Sequence, residues 1–77
     1  MEVVTPVDSI SWCHMYDDAL QTIVGKLHAG ERAIVLPGEK RTTWHTFRHV
    51  MTLEASGWVE RGSVEVVDLE EGDHGSR

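Results

Sequence analysis

The chain has 77 residues, 40% of them apolar, with three tryptophans and a single cysteine, Cys13. That length bounds it to one domain with a small core. A formal net charge of −6 argues against undirected nucleic-acid binding, which depends on neutralising phosphates, and a lone cysteine excludes an internal disulfide and a cysteine-based zinc framework.

The charge is unevenly placed. Within 39–62, Lys40, Arg41, Arg48 and Arg61 outnumber Glu39, Glu54 and Glu60, whereas the charged residues of 65–73 are all acids: Glu65, Asp68, Glu70, Glu71 and Asp73. No run reaches the roughly 18 apolar residues of a membrane helix, and no charged segment precedes an apolar leader core. The expectation is a soluble cytoplasmic protein without a membrane anchor.

Residues 1–7, MEVVTPV, are β-prone and interrupted by Pro6, which suits an edge strand or an extended arm. Asp8, Ser9 and Ser11 then offer helix N-cap oxygens. The spacing predicts a first helix over about 11–28. Trp12, Tyr16, Ala19, Leu20, Ile23, Val24 and Leu27 fall on one arc at a helical period, with His14, Asp17, Asp18, Gln21, Gly25 and His28 opposite. Asp17 and Asp18 suit the early part of that helix, Lys26 and His28 its end, and Gly30 its stop.

Residues 32–36, RAIVL, lie between Gly30 and Pro37-Gly38 and read as a buried strand followed by a turn. A second helix is expected from Thr42 or Thr43 to about Ser56, ended by Gly57. Trp44, Phe47, Val50, Met51 and Ala55 would face inward, and His45, Arg48, His49, Thr52 and Ser56 outward. Residues 58–60 and 64–69 read as two strands, with Arg61-Gly62-Ser63 as the hairpin loop between them. The acidic residues 70–77 read as a flexible tail. The expected class is therefore α+β, in the order α-β-α-β-β over a single domain of residues 1–69.

Leu53, Glu54, Gly57, Trp58, Val59, Glu60 and Arg61 form a pattern that resembles the end of the recognition helix and the wing of winged helix-turn-helix DNA-binding regulators. The likeness covers residues 42–69. Where that family carries a further helix before the recognition helix, this chain has only residues 37–41. The resemblance implies duplex-DNA binding without a cofactor, as in transcription regulation. His45, Arg48, His49 and Thr52 would face the groove. Lys40, Arg41 and Thr43 would meet the backbone, and Arg61 would reach out from the wing. A homodimer would suit a symmetric site.

A second reading comes from charge and composition. The acids Glu65, Asp68, Glu70, Glu71 and Asp73, or an exposed apolar patch, would dock a protein partner. Other chemistries find less support. His45 and His49 have metal-ligand spacing but lack a third ligand nearby in sequence. Asp17 and Asp18 are adjacent and serve poorly as an acid-base pair. No phosphate-binding glycine loop or nucleophile elbow is present. Both readings describe a binding protein, not an enzyme, with no metal or cofactor.

Overall fold

Alternation, not a helical period, organises this chain. The computed structural model describes residues 1–67. Its strands are β1 (Val3–Pro6), β2 (Trp12–Tyr16), β3 (Ile23–His28), β4 (Ala33–Arg41), β5 (Thr46–Met51), β6 (Ser56–Glu60) and β7 (Val64–Val67), with a 3-10 turn at Arg61–Ser63. All strand pairings are antiparallel, in the spatial order β3-β2-β6-β5-β4-β1-β7. The sheet curls into a half-barrel. Just beyond the β1–β4 pairing, the Thr5 hydroxyl donates to the Glu31 carbonyl at 2.7 Å.

Both faces of the sheet carry apolar residues. Residues opposite one another in an antiparallel pair share a face. The pairs Val50↔Gly57 and Cys13↔Leu27 belong to the inner face. There Val4, Cys13, Met15, Leu27, Ala33, Val50 and Val59 form the core. Each fully buried Val, Leu or Met contributes about 1.5–3 kcal/mol through removal from water.

The pair His49↔Trp58 and its neighbour Phe47↔Glu60 point to the outer face. Val3, Phe47 and Trp58 are buried yet stand outside the inner cluster. Trp58 is covered by its neighbours on this outer side. Its indole N–H donates to Asp18 Oδ1 at 2.8 Å, the His49 ring stacks on it at 4.5 Å between centroids, and the Lys40 ammonium sits 4.8 Å over it.

Two hairpin turns are built from threonine side chains. In the turn 42–45 the Thr42 amide donates to the His45 carbonyl at 2.8 Å, and the Thr42 hydroxyl accepts from the His45 amide at 3.1 Å. In the turn 52–55 the Thr52 amide donates to the Ala55 carbonyl at 2.8 Å, and its hydroxyl accepts from the amides of Glu54 and Ala55, both at 3.2 Å. A hydroxyl that closes a turn this way replaces the Gly or Asn usually found there. The β2–β3 turn is closed by Asp17, whose Oδ1 accepts from the amides of Gln21 at 3.0 Å and Thr22 at 3.2 Å.

The α+β expectation is overturned. Strands take 58% of the described residues, and the one helical element among them is the 3-10 turn. Residues 11–28 form the β2–β3 hairpin, and 42–56 form β5 between its two turns and the first residue of β6. The winged-helix order therefore does not form: Leu53 and Glu54 lie in a turn, and Gly57, Trp58, Val59 and Glu60 belong to β6. β6 and β7 also do not form the expected wing hairpin. β6 pairs with β5 and β2, whereas β7 pairs with β1. β1 is an interior strand, not an edge, since β4 flanks it on its other side.

The strand within 32–36 does form, and it extends to Arg41 through a register shift between Val35 and Glu39. Pro37, which lacks an amide donor, falls in that bulge, where the sheet needs none. Gly38 adopts φ +108° beside it. No helix among the described residues is long and apolar enough to cross a membrane.

Candidate functional site

Strand alternation scatters the residues expected to form one DNA-facing surface. Arg48 and His49 are consecutive on β5 and so face opposite ways. Arg48 shares its face with Val50 and donates to Glu2 Oε1 at 2.6 Å. This contact is the main reason the Glu2 carboxyl is held below its ordinary value. His49 and Lys40 are committed to Trp58. Thr52 closes its own turn. Arg41 lies 3.8 Å from Glu39 at the end of β4. Thr43 is exposed in the turn 42–45, and Arg61 is exposed in the 3-10 turn. His45 Nδ1 is 3.3 Å from Glu60 Oε1. Of the acids expected to dock a protein, Glu65 is exposed on β7, and Asp68, Glu70, Glu71 and Asp73 lie outside the described residues.

A different group comes together on the outer face. Positions 12, 14 and 16 of β2 point the same way and bring Trp12, His14 and Tyr16 into a row. The rings of Trp12 and His14 meet edge-to-face at 4.5 Å, and those of His14 and Tyr16 at 5.9 Å. Tyr16 continues the row edge-to-face onto Phe47 at 5.9 Å, and His45 adds a ring 6.2 Å from Phe47. Such edge-to-face pairs add about 0.5–1.5 kcal/mol each beyond burial. Phe47 is buried at the base of the row, whereas Trp12 remains 41% exposed.

Beside the row opens a cleft of about 240 Å³, lined by Trp12, His14 and Tyr16 from β2, Ile10 before it, and Glu60 and Ser63 from the other side, with Cys13. Burial pushes the Cys13 thiol above its ordinary value, which disfavours the nucleophilic thiolate. His14 Nδ1 is closed off from solvent without a hydrogen-bond partner. A buried polar atom left unpaired costs about 1–3 kcal/mol, so His14 is not optimal for stability alone.

A larger hollow of about 570 Å³ lies around the β4 bulge. It surrounds the Glu2–Arg48 ion pair, which is already satisfied. Its wide opening would leave a ligand in water.

Sequence reasoning placed Trp12 and Tyr16 on the buried side of a helix and His14 on the opposite side. The signal that finds them is their two-residue spacing. No cluster of three or more histidines, cysteines or carboxylates placed to hold a metal occurs among the described residues. Compared with protein-family models, curated proteins and solved structures, the chain matches none of them.

Proposed function

We propose that the chain is a non-enzymatic protein-docking module that receives an extended segment of a partner along the Trp12–His14–Tyr16 row. The observation that carries this reading is the open aromatic cleft. Trp and Tyr dominate binding energy where they border a pocket, because they offer large apolar area at low conformational cost. Trp12 combines that area with substantial exposure.

The cleft is also smaller than the roughly 300 Å³ at which small-molecule sites usually begin. That size favours single side chains of a partner over a free cofactor. The same reading keeps the chain in a reducing cytoplasm, where a lone buried cysteine stays a thiol.

The test is selection of a random-peptide phage library on the intact protein. Enriched peptides are expected to lose about tenfold or more in affinity on Trp12→Ala, and nothing on Leu53→Ala at the exposed turn 52–55. Failure to enrich any peptide, or indifference of the enriched ones to Trp12→Ala, overturns the reading. A salt-sensitive mobility shift of duplex DNA in place of peptide capture would instead favour the nucleic-acid reading.

A further inference from the structure

We infer that the part of the cleft between the β2 aromatics and Glu60 receives the ammonium group of a lysine carried by the partner. This rests on the docking reading above and adds the chemistry of what docks. Two observations point to a cation, and a third to lysine among cations.

First, the aromatic faces are attractive to one. A cation is drawn to the face of Trp or Tyr by the ring quadrupole. The chain already uses this attraction beside the cleft, with the Lys26 ammonium 4.7 Å from the centre of the Trp12 ring. Second, Glu60 is the one carboxylate among the lining residues, and no lysine or arginine lines the cleft. Lys26 reaches Trp12 from β3 and is not part of the lining. The nearest basic group to Glu60 is His45, which offsets the carboxylate only when protonated. Within the lining itself the carboxylate of Glu60 is therefore the one formal charge, with the Lys26 ammonium standing at the Trp12 border.

Third, the carboxylate geometry selects lysine over arginine. Glu60 Oε1 faces His45 Nδ1 at 3.3 Å, which leaves the other oxygen for a partner. A guanidinium is at its best with both oxygens of a carboxylate, whereas an ammonium is a point charge satisfied by one. The Ser63 hydroxyl on the same wall offers a second acceptor.

The experiment titrates isotope-labelled protein with Nα-acetyl-lysine N-methylamide, its arginine counterpart and its neutral norleucine counterpart, followed by NMR. The lysine probe is expected to shift the Trp12 indole, the Tyr16 ring and the Glu60 amide at millimolar concentration. Norleucine is expected to bind about five- to tenfold more weakly, and Glu60→Gln to remove that difference with the rest of the spectrum unchanged. Arginine should not exceed lysine. Equal binding of lysine and norleucine, stronger binding of arginine, or a lysine preference that survives Glu60→Gln overturns the inference. Library peptides that depend on Trp12 but show no lysine preference would overturn the ammonium assignment and leave the docking module standing. Absence of any Trp12-dependent peptide would remove the docking module, while the free lysine probe would still report on the subsite.

Discussion

Gly57→Ala is expected to lower stability by about 1–2 kcal/mol, and Gly25→Ala is expected not to. A Cβ on Gly57 would lie 2.9 Å from the Tyr16 carbonyl oxygen, 3.0 Å from Val24 Cγ2 and 3.2 Å from Met15 Cβ. The first is backbone and the third is fixed to it, so neither can swing away. Val24 is β-branched and stiff about χ1. Relief therefore requires the β2–β3 hairpin to lift from β6. Tyr16↔Trp58 is the one registered pair joining β2 to β6, so the strain falls where the sheet is least tied. Overpacking of this kind costs about 1–3 kcal/mol. Loss of glycine's freedom in the unfolded chain returns about 0.4–1 kcal/mol. A net loss of 1–2 kcal/mol corresponds to roughly 5–15 °C in Tm for a domain of this size. At Gly25 the added carbon would meet Met15 Sδ at 3.6 Å and Ala55 Cβ at 3.8 Å, which is ordinary contact, and only the favourable term remains. Thermal and urea unfolding followed by tryptophan fluorescence measures both variants. A Gly57→Ala protein as stable as the parent, or a Gly25→Ala protein that loses more, would refute this account of how the hairpin seats on β6.

Removing the hydroxyls of the threonine turns by Thr42→Val or Thr52→Val should cost about 1 kcal/mol each in urea unfolding, with Thr→Ser at the same positions largely retaining stability. Leu20 adopts φ +58°, a conformation that costs a non-glycine residue about 1–2 kcal/mol. Leu20→Gly should therefore raise the urea midpoint or leave it unchanged, despite the loss of a half-buried side chain. Glu2 is held below its ordinary carboxyl range chiefly by the Arg48 hydrogen bond, and Asp17 by the amides of Gln21 and Thr22. Lowered folded-state values mean that both stabilise the fold above the unfolded carboxyl range and cease to as pH falls through their folded values. The urea midpoint should thus decline below about pH 4, and Glu2→Gln and Asp17→Asn should each flatten that decline.

What the sequence made legible was local. Ala33 to Leu36 carries β-branched residues between glycine and proline signals, and it is a strand. The turn at Pro37-Gly38 became a bulge within β4 because β5 pairs on both sides of it. Trp58 to Glu60 and Val64 to Val67 are strands as expected, but they do not pair with each other: β6 pairs with the preceding β5 and with the distant β2, and β7 with the distant β1, and hydropathy carries no record of that pairing.

The two helices were misread for a specific reason. In a sheet buried on one face, apolar residues recur at every second position. Here Phe47 is buried on the outer face and Val50 on the inner one, so the apolar spacing becomes three, which imitates a helix. Cys13 and Met15 against Trp12 and Tyr16 blur β2 in the same way. The threonines compounded the error. A hydroxyl accepting amides two and three residues on is the hallmark of a helix N-cap, and the identical contact closes the turns 42–45 and 52–55. The aromatic row was hidden by the same misreading, since a helical period sends position 14 away from 12 and 16.

The interior place of β1 has a consequence for synthesis. Val3–Pro6 leaves the ribosome before either of its neighbours, Ala33–Ile34 on one side and Val64–Val67 on the other. One flank can pair once β4 has emerged, but the other must wait for β7, at the end of the described residues. Pairing across such separations makes the rate of folding limited by loop closure, on a scale of milliseconds to seconds. A nascent chain halted after Glu60 would expose one flank of β1 to any strand nearby, so premature truncation should yield aggregation instead of a smaller folded unit.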